Sequence, residues 1–389
     1  MTTTSTWPSR SLWESPERQE LRKTVRRFAE QHILPFQEEW EKAGELPRSL
    51  HKKAGDLGLL GAGFPEFAGG GDGDIIDAMI VAEELCYAGA AGGLLASLFT
   101  HGISLPHMIE AGDPDHIEKW AKPTLAGDKI GSLAITEPGG GSDVANMRTV
   151  ARREGDEFVI NGSKTFITSA VRADFVVTVC RTGEKGQLSL IVVEKGTPGF
   201  TVARKLDKMG WLCSDTAELH YDDVRVPVAN LIGEEHSGFA QLARGFVTER
   251  AALAVQGYAS AQRCLDLTVQ WCRDRDTFGR PLISRQTVQA TLSEMARKID
   301  ISRTYTRVLC ERALYGDSDL IAEVCFAKNT AVEAGEWVAN QAVQLFGGMG
   351  YMRESEVERQ YRDMRLLGIG GGTNEILTGL AAKVLGFKP

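Results

Sequence analysis

The apolar positions of this chain change period twice. Over residues 17–31, Leu21, Val25 and Phe28 recur at about 3.6-residue spacing among charged neighbours, which predicts an amphipathic helix. Pro35, Pro47 and the run Gly69-Gly70-Gly71 punctuate the chain beyond it. Near residue 131 the pattern becomes β-like. Residues 156–160 and 163–168 flank Asn161-Gly162, and an Asn-Gly pair between apolar runs predicts a β-hairpin there. Next come the β-branched runs 175–180 and 188–193, separated by Gly183 and Gly186. From residue 239 onward the period is helical again, with long amphipathic segments over 239–274, 287–315 and 319–344. The expected organisation is a helical domain (1–130), a middle β domain (131–235) and a helical bundle (236–389). The fold class is α+β, mainly α. A block of strands between two blocks of helices is not a βαβ alternation, so a doubly wound sheet is disfavoured.

Residues 85–109 contain no Asp, Glu, Lys or Arg. Gly89, Gly92, Gly93, His101, Gly102, Pro106 and His107 interrupt the run, however, so it reads as a buried, broken helix rather than a membrane span. The net charge of −8 gives no basic excess for nucleic-acid binding. Seven cysteines without a Cys-x-x-Cys pair suit free thiols in a reducing compartment. The first thirty residues lack the apolar core of a signal peptide and carry Glu14, Glu17 and Glu20, unlike a transit peptide. For a bacterial source, the expected location is the cytoplasm.

Glycine stands out, at 42 of 389 residues. It clusters in three segments. In Thr136-Glu-Pro-Gly-Gly-Gly-Ser142-Asp, glycines lie among hydroxyls. Arg275-Asp-Thr-Phe278-Gly comes after a long helical segment. Gln344-Leu-Phe-Gly347-Gly348 precedes Gly370-Gly371-Gly372-Thr373-Asn-Glu375. Each taken alone reads more readily as a turn than as a ligand loop. The sequence has no Walker loop, no Rossmann glycine fingerprint, no His-Glu-x-x-His and no Gly-x-Ser-x-Gly. A cofactor that carries the chemistry itself is what remains.

Taken in this order, with Phe166-Ile-Thr168, these segments resemble the acyl-CoA dehydrogenase family over nearly the whole chain. The resemblance implies an N-terminal helical domain, a central β-barrel-like domain and a C-terminal four-helix bundle, assembled as a homotetramer. It implies FAD as cofactor and α,β-desaturation of an acyl-CoA thioester, with α-proton abstraction and β-hydride transfer to the flavin. Electrons would leave to an electron-transferring flavoprotein, and no nucleic acid or integral membrane association is expected. By the same resemblance, Leu133, Thr136, Ser142, Phe166 and Thr168 would line the flavin. Arg275, Phe278, Gln286, Gln344, Gly347 and Gly348 would reach its pyrophosphate and adenine end from a neighbouring subunit, and Thr373 and Glu375 would complete the site. Ser142, Phe246, Arg250 and Gly371 are the expected substrate contacts.

One position departs from the family's common pattern. Where most members carry the catalytic glutamate, this chain has Gly371. The long-chain and isovaleryl branches likewise place their base on an earlier helix, in a Glu-Arg pair that matches Glu249-Arg250. At 100° per residue, Glu249 falls on the same helical stripe as Leu242, Phe246 and Leu253. A carboxylate on an apolar stripe is either ion-paired, for instance to Arg250, or functional. The base's position implies a long or branched acyl chain. Gly92 and Gly93 could give room for it, or could be packing glycines. An acyl-CoA oxidase of the same fold and a redox-silent FAD- or acyl-CoA-binding paralogue remain as alternatives.

Overall fold

In the N-terminal block, the two longest helices begin at side-chain caps. A computed structural model describes residues 9–317 and 319–387. After α1 (Arg10–Trp13), the Ser15 side chain accepts from Arg18 N, and Pro16 opens α2 (Pro16–His32). α3 (Gln37–Ala43) and α4 (Arg48–Asp56) lead to α5 (Ile75–Ala88), which Asp74 and Asp77 start as a reciprocal capping box. The uncharged stretch becomes the end of α5, α6 (Gly92–Leu98) and α7 (His101–Ala111). It is thus a buried helix broken twice. Among the described residues no helix is long and apolar enough to cross a membrane. The block closes with α8 (Pro114–His116), a π turn (Ile117–Ala121) and α9 (Lys122–Leu125).

The middle block is an eight-stranded sheet. Its strands are β1 (Gly131–Ala134), β2 (Val150–Glu154), β3 (Glu157–Thr168), β4 (Phe175–Arg181), β5 (Leu188–Glu194), β6 (Phe200–Lys205), β7 (Thr216–Pro227) and β8 (Leu231–Ile232). The order is β6-β7-β3-β2-β4-β5-β8, with β1 parallel to β4. β4 and β5 are buried on both faces. Phe175, Val177, Val179, Leu190 and Val192 meet the N-terminal helices, while Val176, Cys180, Ile191 and Val193 fill the interior of the sheet domain.

The hairpin expected at Asn161-Gly162 does not form there. β3 runs straight through both residues, with a register shift against β7 between Ile160 and Gly162. Asn161 is held in the sheet because its side chain donates to Asp223 Oδ1 (2.9 Å) and accepts from Asp223 N (3.0 Å). The turn lies one strand earlier, at Gly155-Asp156, where Glu154 pairs with Glu157. Gly155, at φ +64, supplies the left-handed residue that this turn needs.

The last block begins with α10 (Gly238–Asp274), a 37-residue helix. A short hairpin, β9 (Asp276–Thr277) and β10 (Arg280–Pro281), joins it to α11 (Gln286–Leu314). Then come α12 (Ile321–Phe346), α13 (Glu356–Leu367) and α14 (Asn374–Val384). α10 and α12 approach closely through Gly257: a Cβ on it would stand 3.0 Å from the Ala331 carbonyl oxygen. Glu83 of α5 ties the first block to the last. Fully buried, it accepts from Arg22 of α2 (2.7 Å), Arg307 of α11 (2.6 Å) and the Tyr258 hydroxyl of α10 (2.8 Å). All seven cysteines are free and buried.

Candidate active site

α10 crosses from the sheet domain to the bundle, and Glu249 sits at the crossing. Leu242 and Phe246 pack into the same core as Leu133 of β1, whereas Leu253 packs into the bundle core. Glu249 lies between them on the stripe, half-buried. Among the described residues its carboxylate has no ion-pair or hydrogen-bond partner. Burial raises its pKa, and the charges of Arg250 and Lys328 offset only part of that rise.

The loop between α13 and α14 faces this carboxylate. Gly371 (φ +64) and Gly372 (φ +93) are both left-handed. A Cβ on Gly371 would stand 3.5 Å from Glu249 Oε1 and only 2.3 Å from Leu253 Cδ1. Two separate stretches of sequence therefore aim at one small space. The neighbouring cations are engaged with the loop. Buried Arg250 donates from Nε to the Gly371 carbonyl at 3.3 Å, with its guanidinium 4.8 Å from the Phe246 ring centre. Lys328 of α12, fully buried, donates to the Gly372 carbonyl and to Asn374 Oδ1, both at 3.0 Å. Burial, with Arg250 next, lowers its pKa to about 8. Sequence reasoning missed Lys328. The signal was its helical face, shared with Val324, Ala327 and Ala331, all buried. Thr373 caps α14 by accepting from Ile376 N at 3.3 Å, with exposed Glu375 in the first turn.

A second group gathers at the edge of the sheet. Thr165 N donates to the Thr136 carbonyl (2.9 Å) and Ser132 Oγ to the Thr168 carbonyl (2.6 Å), so the glycine loop and residues 166–168 lie side by side. Leu133 is buried beneath them. Phe166 is 68% exposed in a left-handed backbone, φ +59. Gly139, Gly140, Gly141 and Asp143 help line a cavity of about 360 Å³, with Ser142 exposed between the last two. Glu137 closes the base of this loop. Its carboxylate accepts from Arg148 N (2.7 Å), Thr149 N (2.8 Å) and buried Lys164 (3.1 Å), which together hold its pKa below the usual carboxylate value despite burial.

A third group lies at the far end of α10. Phe278 forms the tip of the β9–β10 hairpin, 99% exposed and left-handed at φ +50. Trp271 stacks on Phe346 (4.7 Å) and donates to the Leu345 carbonyl (3.2 Å), which fixes the turn carrying Gln344, Gly347 and Gly348 beside the hairpin. Arg275, Gln286, Gln344, Gly347 and Gly348 are all exposed. Arg275 stands 26 residues along α10 from Glu249, roughly 40 Å at about 1.5 Å per residue. One chain therefore does not bring this group to the other two.

Gly92 and Gly93 are packing glycines. A Cβ on Gly92 would meet Trp211 Nε1 at 2.6 Å, and one on Gly93 would meet Trp211 Cα at 2.7 Å. They give no room to an acyl chain.

These features fit a flat, phosphorylated cofactor. A left-handed aromatic costs about 1–3 kcal/mol, and such strain concentrates where a ligand is held. Phe166 and Phe278 present their rings to solvent in that state, beside glycine-rich backbone that a ligand can approach closely.

The comparisons agree with this architecture. Models for the N-terminal, middle and C-terminal domains of acyl-CoA dehydrogenase match residues 15–128, 132–224 and 236–386. The chain belongs to the acyl-CoA dehydrogenase family, whose members are FAD-dependent oxidoreductases acting on CH–CH groups of acyl-CoA thioesters. It is 38% identical over 376 residues to the long-chain specific mitochondrial enzyme of Rattus norvegicus, covering 95% of this chain and 86% of that one. To the short-chain specific enzyme of the same animal it is 37% identical over 369 residues, covering 93% and 89%. A candidate acyl-CoA dehydrogenase of Mycobacterium smegmatis superposes with a TM-score of 0.97 at 69% identity, covering 97% of this chain and all of that one. Long-chain and short-chain relatives are thus nearly equidistant, and identity alone does not select an acyl length.

Proposed function

We propose that this chain desaturates an acyl-CoA thioester with Glu249 as the base that removes the α-proton. One observation carries the reading: an unpaired carboxylate lies 3.5 Å from where a side chain at Gly371 would begin. A structural glutamate on an apolar stripe would be expected to hold a cation. Arg250 and Lys328, the nearby cations, hold the loop carbonyls instead. Burial raises the pKa of Glu249, which makes it a stronger base, and the charges of Arg250 and Lys328 limit that rise.

Leu133, Thr136, Ser142, Phe166 and Thr168 would hold the ring end of FAD. Arg275, Phe278, Gln286, Gln344, Gly347 and Gly348 of a second copy would hold its pyrophosphate end, Arg275 through forked hydrogen bonds, with Thr373 and Glu375 completing the site. Bound FAD supplies the acceptor for the hydride leaving the β-carbon. The Gly371 backbone N–H remains available to the thioester oxygen, because losing the side chain does not remove it. Phe246, with the Arg250 guanidinium against its ring, is the expected substrate contact on α10. The roughly 40 Å between the two groups supports an oligomer in which the copies share each site. Electrons pass to an electron-transferring flavoprotein, and the displaced base supports a long or branched acyl chain.

Glu249→Gln keeps the shape and removes the proton acceptor. The purified variant is expected to stay yellow and to shift its flavin spectrum on adding acyl-CoA, while turnover falls by at least roughly 10²–10⁴-fold. Turnover near the wild-type rate would end this assignment. Anaerobic flavin bleaching over acyl-CoAs of graded length and branching reads the substrate. Peroxide formation in air would mark an oxidase instead.

A further inference from the structure

Among the described residues, Lys328 is the one fully buried lysine of the bundle. A buried ammonium is costly unless its N–H groups find acceptors. Here the two acceptors lie on one short segment: the Gly372 carbonyl and Asn374 Oδ1, each at 3.0 Å. The next residue of α12 grips the same segment, with Asn329 Nδ2 donating to the Asn374 carbonyl at 3.0 Å. From the other side, Arg250 of α10 holds the Gly371 carbonyl. The segment itself is soft, since two consecutive left-handed glycines have few restraints of their own. Its carbonyls are thus pinned from two helices at the point where the loop faces Glu249.

We propose that Lys328 is a positioning residue of this active site, holding the Gly371–Asn374 segment against Glu249 through the Gly372 carbonyl and the Asn374 side chain. The inference rests on Glu249 being the base only for its kinetic consequences; the loop geometry stands without it. The charged and titratable groups facing Lys328 are Arg250 of α10, Cys325 and Glu336 of α12, and Glu375 of α14, and Lys328 in turn faces Glu249. Its positive charge favours the ionised Glu249. Losing that charge therefore moves the acid limb of activity toward higher pH, an effect that loop disorder by itself does not produce.

The test uses the FAD-loaded enzyme. Lys328→Met is expected to lower kcat/KM by about 10²-fold, the scale of a small misplacement in an active site. The acid limb of its kcat/KM profile should move up, and amides of residues 370–375 should exchange with deuterium faster than in the wild type. Lys328→Arg should restore part of the protection and part of the acid-limb position. If the Met variant does not fold, Asn374→Ala removes one acceptor without unpairing the cation, and the same segment should exchange faster. Glu249→Gln serves as the control: turnover is lost while the 370–375 amides exchange as in the wild type. An active Glu249→Gln enzyme would defeat the base assignment and leave the exchange readout to judge Lys328. Unchanged exchange together with an unchanged acid limb in Lys328→Met would overturn the proposal.

Discussion

At the scale of single residues, the space shared by Glu249 and Gly371 decides what can replace what. Moving the carboxylate to position 371 looks simple in sequence, yet Leu253 Cδ1 already lies 2.3 Å from the new Cβ. The backbone there, at φ +64, also disfavours any residue with a side chain. Glu249→Gly with Gly371→Glu is therefore expected to stay inactive, and adding Leu253→Ala should recover measurable turnover with an altered acyl preference. Comparing the double and triple variants on one acyl-CoA checks this, and equal rates would show that Leu253 is not the obstacle. The place of Glu249 on its apolar stripe was legible from spacing alone, while its candidate role as the base came from the Glu-Arg pair that resembles the family's long-chain and isovaleryl branches. Lys328 was just as visible by spacing. What made it important was its acceptors, Gly372 and Asn374, which lie far along the chain. No periodicity reports on a contact of that kind.

At the scale of elements, the β9–β10 hairpin asks for a partner. Its tip residue Phe278 is 99% exposed and strained, and from its own chain the Arg285 guanidinium approaches the ring, at 5.5 Å. Phe278→Asp should leave the fold of the chain nearly unchanged, since surface substitutions usually cost within about 0.5 kcal/mol. It should weaken both assembly and FAD retention. Light scattering with bound-flavin absorbance reads the two together, and a monomer that holds FAD as tightly as the wild type would refute a shared site. The middle block teaches a different lesson about legibility. Asn161-Gly162 carries the stronger hairpin signal, but the turn forms at Gly155-Asp156. Pairing of Asn161 with Asp223, on a strand much later in the chain, overrides the local preference. Local turn chemistry proposes positions, and strand partners choose among them.

At the scale of the whole molecule, three buried histidines make stability depend on pH. Burial lowers His51 to about 3, and His101 and His107 to about 4. Each is neutral in the fold but gains a proton once unfolded, at an ordinary pKa near about 6.5. The unfolded state therefore binds more protons below about pH 6.5. The histidine contribution should be level above that pH and fall between about 6.5 and about 4, each histidine contributing up to about 1.4 kcal/mol per pH unit. Asp363 works the other way: burial, with Glu41 next, raises it to about 6, so the fold gains as it protonates. Glu249, also raised by burial, acts in the same direction as Asp363, so the net slope below about pH 6 is smaller than that of three protons. Urea midpoints at about pH 7.5, 6 and 5 check the sign, and a midpoint that does not fall toward the acid end would contradict it. Replacing the three histidines by glutamine should flatten or reverse the slope.

Sequence alone determined the α–β–α order, the long bundle helices and the positions of the glycine clusters, because hydrophobic period and glycine clustering are local properties of the chain. It also placed Glu249 on its stripe. Tertiary structure decided which of those residues meet. It set Gly371 opposite Glu249, from the far end of the chain, and gave Arg250 and Lys328 to the loop rather than to the carboxylate. It filled the space beside Gly92 and Gly93 with Trp211, and it separated the Arg275 group from the Glu249 loop by most of the length of α10. The reason is the same in each case. Close packing and the pairing of buried polar groups join residues distant in sequence, and those terms are fixed only when the whole chain has folded.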